Sequence, residues 1–184
     1  NLFSIHTKNS TYQMKVEMGF LLHTYYGPYV GDMDMSYLAR RIDRGFSGNP
    51  DGAPDRRFSL DTQLLEYSAY GTGDYRNDCL RVEYADGSQV TDLKYVSYEV
   101  KEGKYALEGL PAMYQGDAKA ETLEITLRDE YKDLEVILYY GVFEDLDIIT
   151  RACRIVNNGK DPVHLLRVYS MCLDFYGKDM DFIH

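Results

Sequence analysis

The chain has 184 residues, a formal net charge of −10, and 45% hydrophobic and 27% charged residues. This composition is typical of a soluble globular protein that is long enough to bury a core of its own. Proteins that bind nucleic acid need basic patches, so the acidic balance argues against that class of partner. No apolar run approaches the ~20 residues that span a bilayer, and we expect no membrane partner.

Tyrosine is abundant, with 18 residues, whereas tryptophan is absent. Tyrosine favours strands and gives amphipathic contact surface, so a Tyr-rich sheet and Tyr-lined sugar contacts both fit. Cys79, Cys153 and Cys172 have no metal-like spacing, and the last two lie in apolar runs that predict small, buried core residues. The odd number of cysteines and the lack of a signal-peptide pattern predict a reduced, cytoplasmic location.

Strand patterns begin early in the chain. Apolar and polar residues alternate over 12–18, which predicts a half-buried strand, and a second strand is expected over 20–26. Gly27-Pro28 is a stop signal for that strand. Within 31–41 we expect no more than one helical turn.

The second half of the chain is dominated by further strand patterns. We expect strands over 80–84, 90–100, 123–127, 134–143, 147–156 and 163–175. The pair Asp86-Gly87 between the first two predicts a hairpin. About nine or ten strands with short turns, and no long amphipathic helix, predict an all-β fold: an antiparallel β-sandwich or barrel formed as one domain by residues 1–184.

One segment, residues 43–76, has neither a strand period nor a helix period. It is rich in Gly, Pro, Asp, Arg and aromatic residues. Connections in compact domains run ~4–6 residues, and much longer ones are usually functional or disordered. Because the aromatic and leucine side chains here offer much apolar surface to bury, we predict an ordered loop that presents charges.

The loop also contains the candidate binding residues. Asp43, Asn49, Asp55 and Arg56 are short or forked polar side chains among aromatics, which suits sugar hydroxyls because carboxylates accept hydrogen bonds and guanidinium groups donate them. In the alternative interpretation, Asp43 and Asp55 cap turns and Arg56 pairs with an acid. Asp74 and Arg76 are expected to form an internal pair that braces the end of the loop.

Other catalytic and cofactor signatures are missing from the sequence. None of the histidines is spaced as a metal pair, and there is no Gly-x-Ser-x-Gly elbow, P-loop or GxGxxG motif. We therefore expect no cofactor, no metal site and no nucleophilic serine or cysteine. Glycoside hydrolysis uses two carboxyl groups, but 30 acidic residues allow no pair to be chosen by spacing.

Several specific motifs together carry a family resemblance. They are RGFSGNP at 44–50, DRRFSLDTQLLEYSAYGTGDYR at 55–76, YADGS at 84–88, VTDL at 90–93, LEGLPA at 107–112, AETLEI at 120–125, DIITR at 147–151 and DMDFIH at 179–184. Over nearly its whole length the chain resembles the N-terminal region of family 36 glycoside hydrolases, the bacterial α-galactosidases. The resemblance implies a β-sandwich of the galactose-mutarotase-like supersandwich type, followed in longer proteins by a (β/α)₈ barrel.

The resemblance also implies where the chemistry lies. In this family the nucleophile and the acid/base aspartates belong to Trp-containing motifs of the barrel, and this chain has no Trp. It further implies a homotetramer in which a loop of the N-terminal domain closes a neighbouring subunit's active site over galactose. Asp43 and Arg56 match that loop, and Phe46 and Asn49 are nearby candidates for substrate binding.

The leading hypothesis is therefore the non-catalytic N-terminal domain of a retaining α-galactosidase that acts on melibiose and raffinose-type sugars. The alternative is a free-standing carbohydrate-binding β-sandwich module. A third reading is a purely structural oligomerisation domain.

Overall fold

The structure, a computed structural model, describes residues 1–43, 45, 48–50 and 52–174. This part of the chain has nine strands: β1 (Leu2–His6), β2 (Ser10–Glu17), β3 (Phe20–Pro28), β4 (Leu80–Glu83), β5 (Lys94–Glu102), β6 (Glu121–Asp129), β7 (Leu134–Phe143), β8 (Ile148–Asn157) and β9 (His164–Val168). Its helical segments are two short 3₁₀ turns, Ser36–Leu38 and Glu144–Leu146. No helix within these ranges has the length and apolar character needed to cross a membrane.

The strands form three antiparallel sheets. One has the order β1-β2-β3, the second has the order β5-β6-β7-β8, and β4 pairs with β9 in the third. The predicted all-β, antiparallel fold is confirmed. The predicted helical turn within 31–41 is also present, at Ser36–Leu38.

The main core lies between the first two sheets and is closed by β4. Strand β7 shows why these residues form a sheet, because Val136, Leu138 and Tyr140 point inward and are fully buried, whereas the residues at 135, 137 and 139 that alternate with them are partly exposed. Burying a Val or Leu side chain contributes roughly 1.5–3 kcal/mol. Phe3 and Met14 of the first sheet belong to the same core.

Strand β1 was missed by the sequence reading. Only two of its five side chains, Phe3 and Ile5, are buried, so the alternation is too short to stand out. Its pairing with β2 in full antiparallel register defines it instead.

The predicted hairpin at Asp86-Gly87 is wrong, although the turn itself forms. Tyr84 N donates to Ser88 O at 2.9 Å, and Gly87 has a φ of +77°, which suits glycine. The chain then leaves β4: Thr91 N donates to Tyr70 O at 3.1 Å, and β5 starts at residue 94 beside β6. Strand β4 pairs with β9 instead.

The cysteine prediction needs a correction. Cys153 and Cys172 are half buried, whereas Cys79 is the deeply buried thiol, with 1% of its surface exposed. The predicted strand over 163–175 is shorter than expected and ends at residue 168, which leaves Cys172 beyond the sheet.

Candidate functional site

One half of the 43–76 loop is packed into the protein. Phe58, Leu60 and Leu65 are buried against Phe20 and Leu22 of β3, and they form a second, smaller core. His23 N donates to Leu64 O at 2.7 Å and Glu66 N to Leu21 O at 3.0 Å, so this part of the loop runs beside β3 as a short pairing. These three side chains are buried, as expected for the apolar residues of the loop.

The other half of the loop presents charges to solvent. Arg56 Nε lies 3.9 Å from Asp43 Oδ1, and the two side chains are 77% and 61% exposed. The structure thus brings together the two residues that match the family's loop, and Arg56 pairs with an acid, which the alternative interpretation also predicted. Phe46, the third candidate, lies outside the described residues.

Asn49, the fourth candidate, forms hydrogen bonds to other residues of the same loop. Its Nδ2 donates to Arg56 O at 2.8 Å and also to Phe58 O. Because these acceptors lie on both sides of Arg57, the amide holds the backbone that carries Arg56 against the packed half of the loop. Leu60 N completes this brace by donating to Gly48 O at 3.1 Å.

Asp55 follows the alternative interpretation, in which it caps a turn. Its Oδ1 accepts hydrogen bonds from Arg57 N at 2.9 Å and from Arg57 Nε at 3.0 Å. Together these bonds hold the pKa of the Asp55 carboxyl group below its ordinary value. The bond from the Arg57 side chain contributes most to this shift, and the bond from the Arg57 backbone comes next. Asp55 is therefore engaged with Arg57, and Arg56 is left to pair with Asp43.

Arg76 fixes the end of the loop. Its guanidinium donates to Asp74 Oδ1 at 2.9 Å and to Asp74 Oδ2 at 2.8 Å, so the predicted internal pair is confirmed. The same group also donates to Gln63 O at 2.6 Å and to Asp174 Oδ2 at 2.8 Å. One arginine thereby joins two points of the loop to the segment that follows β9.

A buried polar cluster around Glu66 was not anticipated from the sequence. Glu66 Oε1 accepts hydrogen bonds from Tyr12 and Tyr140, each at 2.8 Å, and lies 2.7 Å from Arg151 Nη1. His23 Nδ1 is 3.5 Å from the other carboxylate oxygen. The local signal was an acidic residue inside the apolar run LLEYSAY, but its partners come from four strands, β2, β3, β7 and β8.

Interactions within this cluster keep the Glu66 carboxyl group ionised and the Tyr12 hydroxyl group protonated. Burial raises the pKa of the Glu66 carboxyl group, but the Arg151 charge and the contacts from His23 and Tyr12 outweigh burial and hold the pKa below its ordinary value. Burial and the Glu66 charge raise the pKa of Tyr12, so its hydroxyl stays protonated and donates. Within the described residues, no group of three or more ligand-type side chains could hold a metal ion.

The fold and the loop define a β-sandwich domain that anchors one long, charge-tipped loop. The chain belongs to glycosyl hydrolase family 36: residues 19–184 match the glycosyl hydrolase family 36 N-terminal domain.

Relatives with curated names support the same family. The chain is 46% identical over 182 residues to the bifunctional alpha-galactosidase/sucrose kinase AgaSK of Mediterraneibacter gnavus, covering 98% of this chain and 19% of the relative. It is 44% identical to the alpha-galactosidase AgaA of Geobacillus stearothermophilus, covering 99% of this chain and 25% of the relative. The chain therefore spans a quarter or less of the length of these two relatives.

Solved structures show the same fold. The galactosidase domain of AgaSK superposes with a TM-score of 0.89 at 46% identity, over 95% of this chain and 24% of that chain. A variant of AgaA in complex with raffinose superposes with a TM-score of 0.86 at 43% identity, over 93% of this chain and 24% of that chain.

Proposed function

We propose that this chain is the non-catalytic N-terminal domain of a retaining α-galactosidase that releases terminal α-linked galactose from melibiose and raffinose-type oligosaccharides. Family membership supports this, as do the AgaA structures, which are described in complex with raffinose and with stachyose. In this proposal the two catalytic carboxyl groups, ~5–5.5 Å apart in a retaining enzyme, belong to a barrel elsewhere in the polypeptide.

The observation that carries the site proposal is the Asp43–Arg56 pair at the exposed end of an anchored loop. An exposed ion pair contributes only ~0–1 kcal/mol to stability, so the fold gains little from holding these two charges there. In our proposal the Asp43 carboxylate accepts hydrogen bonds from galactose hydroxyls. Arg56 orients that carboxylate or donates to the sugar, Asn49 sets the backbone that carries Arg56, and Phe46 is the candidate apolar contact.

The loop tip is proposed to act on a neighbouring subunit. A cleft of about 630 Å³ on this chain is lined by residues of β1 and its surroundings, and neither Asp43 nor Arg56 contributes to it. Because the charged pair is exposed and does not line this cleft, we propose that its sugar partner lies in a site supplied by another part of the assembly. We therefore propose a homotetramer in which this domain contributes subunit contacts and closes a neighbour's active site.

Kinetics of single variants test the site proposal in the full-length enzyme. We expect Asp43→Ala and Arg56→Ala each to lower kcat/KM for melibiose and raffinose by about 10- to 100-fold, the effect of losing a hydrogen bond to a charged group. Asp145→Ala, which removes an exposed carboxylate in the turn between β7 and β8, is the matched control. Wild-type kinetics for Asp43→Ala would remove the site claim.

A free-standing carbohydrate-binding module is the second candidate, and one observation favours it. The same cleft is lined by Tyr29 and Tyr98, which are 56% and 55% exposed, and by Glu121 and Glu144. Aromatic faces with carboxylates suit sugars. Under this candidate, Tyr98→Ala would weaken binding of galactosides while Asp43→Ala would not, the reverse of the result expected for the leading proposal.

A further inference from the structure

The free edge of β1 forms one wall of the cleft of about 630 Å³. Strand β1 is the end strand of its sheet, and among the strands that the structure describes it pairs with β2 alone. Asn1 O accepts a hydrogen bond from β2 at 2.8 Å, and Thr7 N donates one to β2 at 3.0 Å. Because residues of an antiparallel pair alternate between bonded and non-bonded positions, the odd-numbered residues bond to β2. The backbone N–H and C=O groups that point away from β2, toward the free edge, are those of Leu2, Ser4 and His6.

The floor of the cleft belongs to the second sheet, and β1 does not cover it. Across β5 and β6, Tyr98 pairs with Ile125, and Val100 pairs with Leu123. Ile125 and Leu123 are buried in the core, and directly paired residues share a face of the sheet. Tyr98 and Val100 therefore face the core side, yet they are 55% and 58% exposed. The core face of the four-stranded sheet thus extends beyond β1, the last strand of the three-stranded sheet that lies over it.

One more β-strand beside β1 would satisfy both the free edge and the uncovered floor. Neighbouring strands lie ~4.8 Å apart, so a strand bonded to β1 would lie over Tyr98 and Val100 and cover them with every second side chain. Strand β1 has five residues, which sets the length of the pairing at roughly 17 Å. Proteins normally pair or cover such edges, and the addition of a strand to a free edge is a recurring mode of recognition.

The charge of the cleft argues against a second copy of this chain as the source of that strand. Glu121 and Glu144 line the cleft and are exposed, and no lysine or arginine of the described residues lines it. Two copies paired through β1 about a two-fold axis would bring these carboxylates together as like charges. A strand with alternating apolar residues and a Lys or Arg near its ends fits better. The chain spans a quarter or less of the length of AgaSK and AgaA, so a polypeptide of that length has many further segments to supply it.

We propose that a β-strand from a part of the same polypeptide outside residues 1–184 pairs with the free edge of β1. It adds a fourth strand to the first sheet, places its apolar side chains on Tyr98 and Val100, and brings basic side chains to Glu121 and Glu144. This inference rests on the longer polypeptide of the proposed function, but it is independent of the Asp43–Arg56 site. Its tests measure no enzyme activity, so its failure is distinguishable from failure of the proposed function.

Amide exchange of the wild-type, full-length protein in sugar-free buffer tests the pairing, with single residues resolved by mass spectrometry. The amides of Phe3 and Ile5 bond to β2 and serve as internal controls. If a strand pairs with β1, the amides of Ser4 and His6 should exchange at rates within about tenfold of these controls. Faster exchange than that at Ser4 and His6 would show a free edge and overturn the proposal. This includes the case in which a galactoside then slows that exchange, which is the result expected for a carbohydrate-binding module.

Photo-cross-linking from the floor of the cleft identifies the strand. Full-length Tyr98→benzoylphenylalanine is assembled from subunits with normal and heavy nitrogen, irradiated and digested, and the linked peptides are identified by mass spectrometry. We expect a link from position 98 to a peptide outside residues 1–184 that carries the same isotope label, and hence belongs to the same polypeptide. Tyr131→benzoylphenylalanine, the matched control, is 91% exposed in the turn between β6 and β7 and should not reach that peptide. A link of mixed label, or no link beyond residues 1–184, overturns the proposal.

Discussion

Arg151 and Glu66 form an ion pair inside the sandwich, where the guanidinium Nη1 lies 2.7 Å from the carboxylate Oε1 and the side chains are 6% and 0% exposed. Arg151 belongs to β8, Glu66 to the 43–76 loop, and the hydroxyl groups of Tyr12 and Tyr140 reach the same carboxylate from β2 and β7. The cluster therefore connects both large sheets to the anchored half of the loop. The Arg151 guanidinium also lies over the Tyr140 ring, with its central carbon 4.2 Å from the ring centroid.

Glu66→Gln is expected to destabilise the domain strongly. Removing one charge of a buried pair leaves the other uncompensated, which costs about 3–5 kcal/mol. Amide exchange in β7 of the full-length protein reports the free energy of opening and so measures the loss. Glu99→Gln is the matched control, because Glu99 is 66% exposed and pairs with Lys101 on the surface at 3.2 Å. Its effect should stay within about 0.5 kcal/mol, and equal effects of the two variants would contradict the role given to Glu66.

The same pair predicts a pH dependence. The pKa of Glu66 in the folded state is below its ordinary value of 4.5. A carboxyl group with a depressed pKa contributes stability that is fully present above the unfolded-state pKa and is lost as pH falls through the folded-state pKa. The opening free energy of the wild type should therefore fall with acidification below about pH 4.5. That fall should be smaller in Glu66→Gln, and identical pH profiles would show that Glu66 does not supply it.

Arg76→Ala is expected to loosen the base of the loop. Asp74, whose side chain is 2% exposed, would lose both hydrogen bonds from the Arg76 guanidinium and keep the one from Arg76 N, and Gln63 O would lose its donor. Leaving such groups unsatisfied costs about 1–3 kcal/mol. Faster amide exchange over 63–76 is the expected result. Arg57→Ala should leave that exchange unchanged, because Arg57 pairs with Asp55 on the surface.

Parts of this fold follow directly from the amino-acid sequence. Strands β6, β7 and β8 were predictable because long, strict alternation in a half-buried sheet is a local property. The hairpin at Asp86-Gly87 was predicted wrongly because a tight turn is local, whereas the partner of β4 is decided by contacts in the core. Strand β9, which lies far along the chain from β4, is the partner that pairs with it.

In the candidate site, too, some features follow from the local sequence and others depend on contacts made only in the folded chain. Asp43 and Arg56 were identified from residue type and resemblance, and the structure places them together. The role of Asn49 as a backbone brace depends on where Arg56 O and Phe58 O come to lie, which no spacing rule gives. The partners of Glu66 come from β2, β3, β7 and β8, so only the folded chain identifies them.

Subunit complementation tests most directly the central claim, which is that the 43–76 loop completes the active site of a neighbouring subunit. A full-length Asp43→Ala subunit keeps an intact barrel, and a subunit without its barrel nucleophile keeps an intact loop. Each assembled alone should hydrolyse raffinose poorly. When the two are denatured, mixed and reassembled, intact loops should close intact barrels, and activity should rise well above the sum of the two parents. Activity no greater than that sum, in oligomers shown to be mixed, would contradict the claim that this loop completes a neighbour's active site.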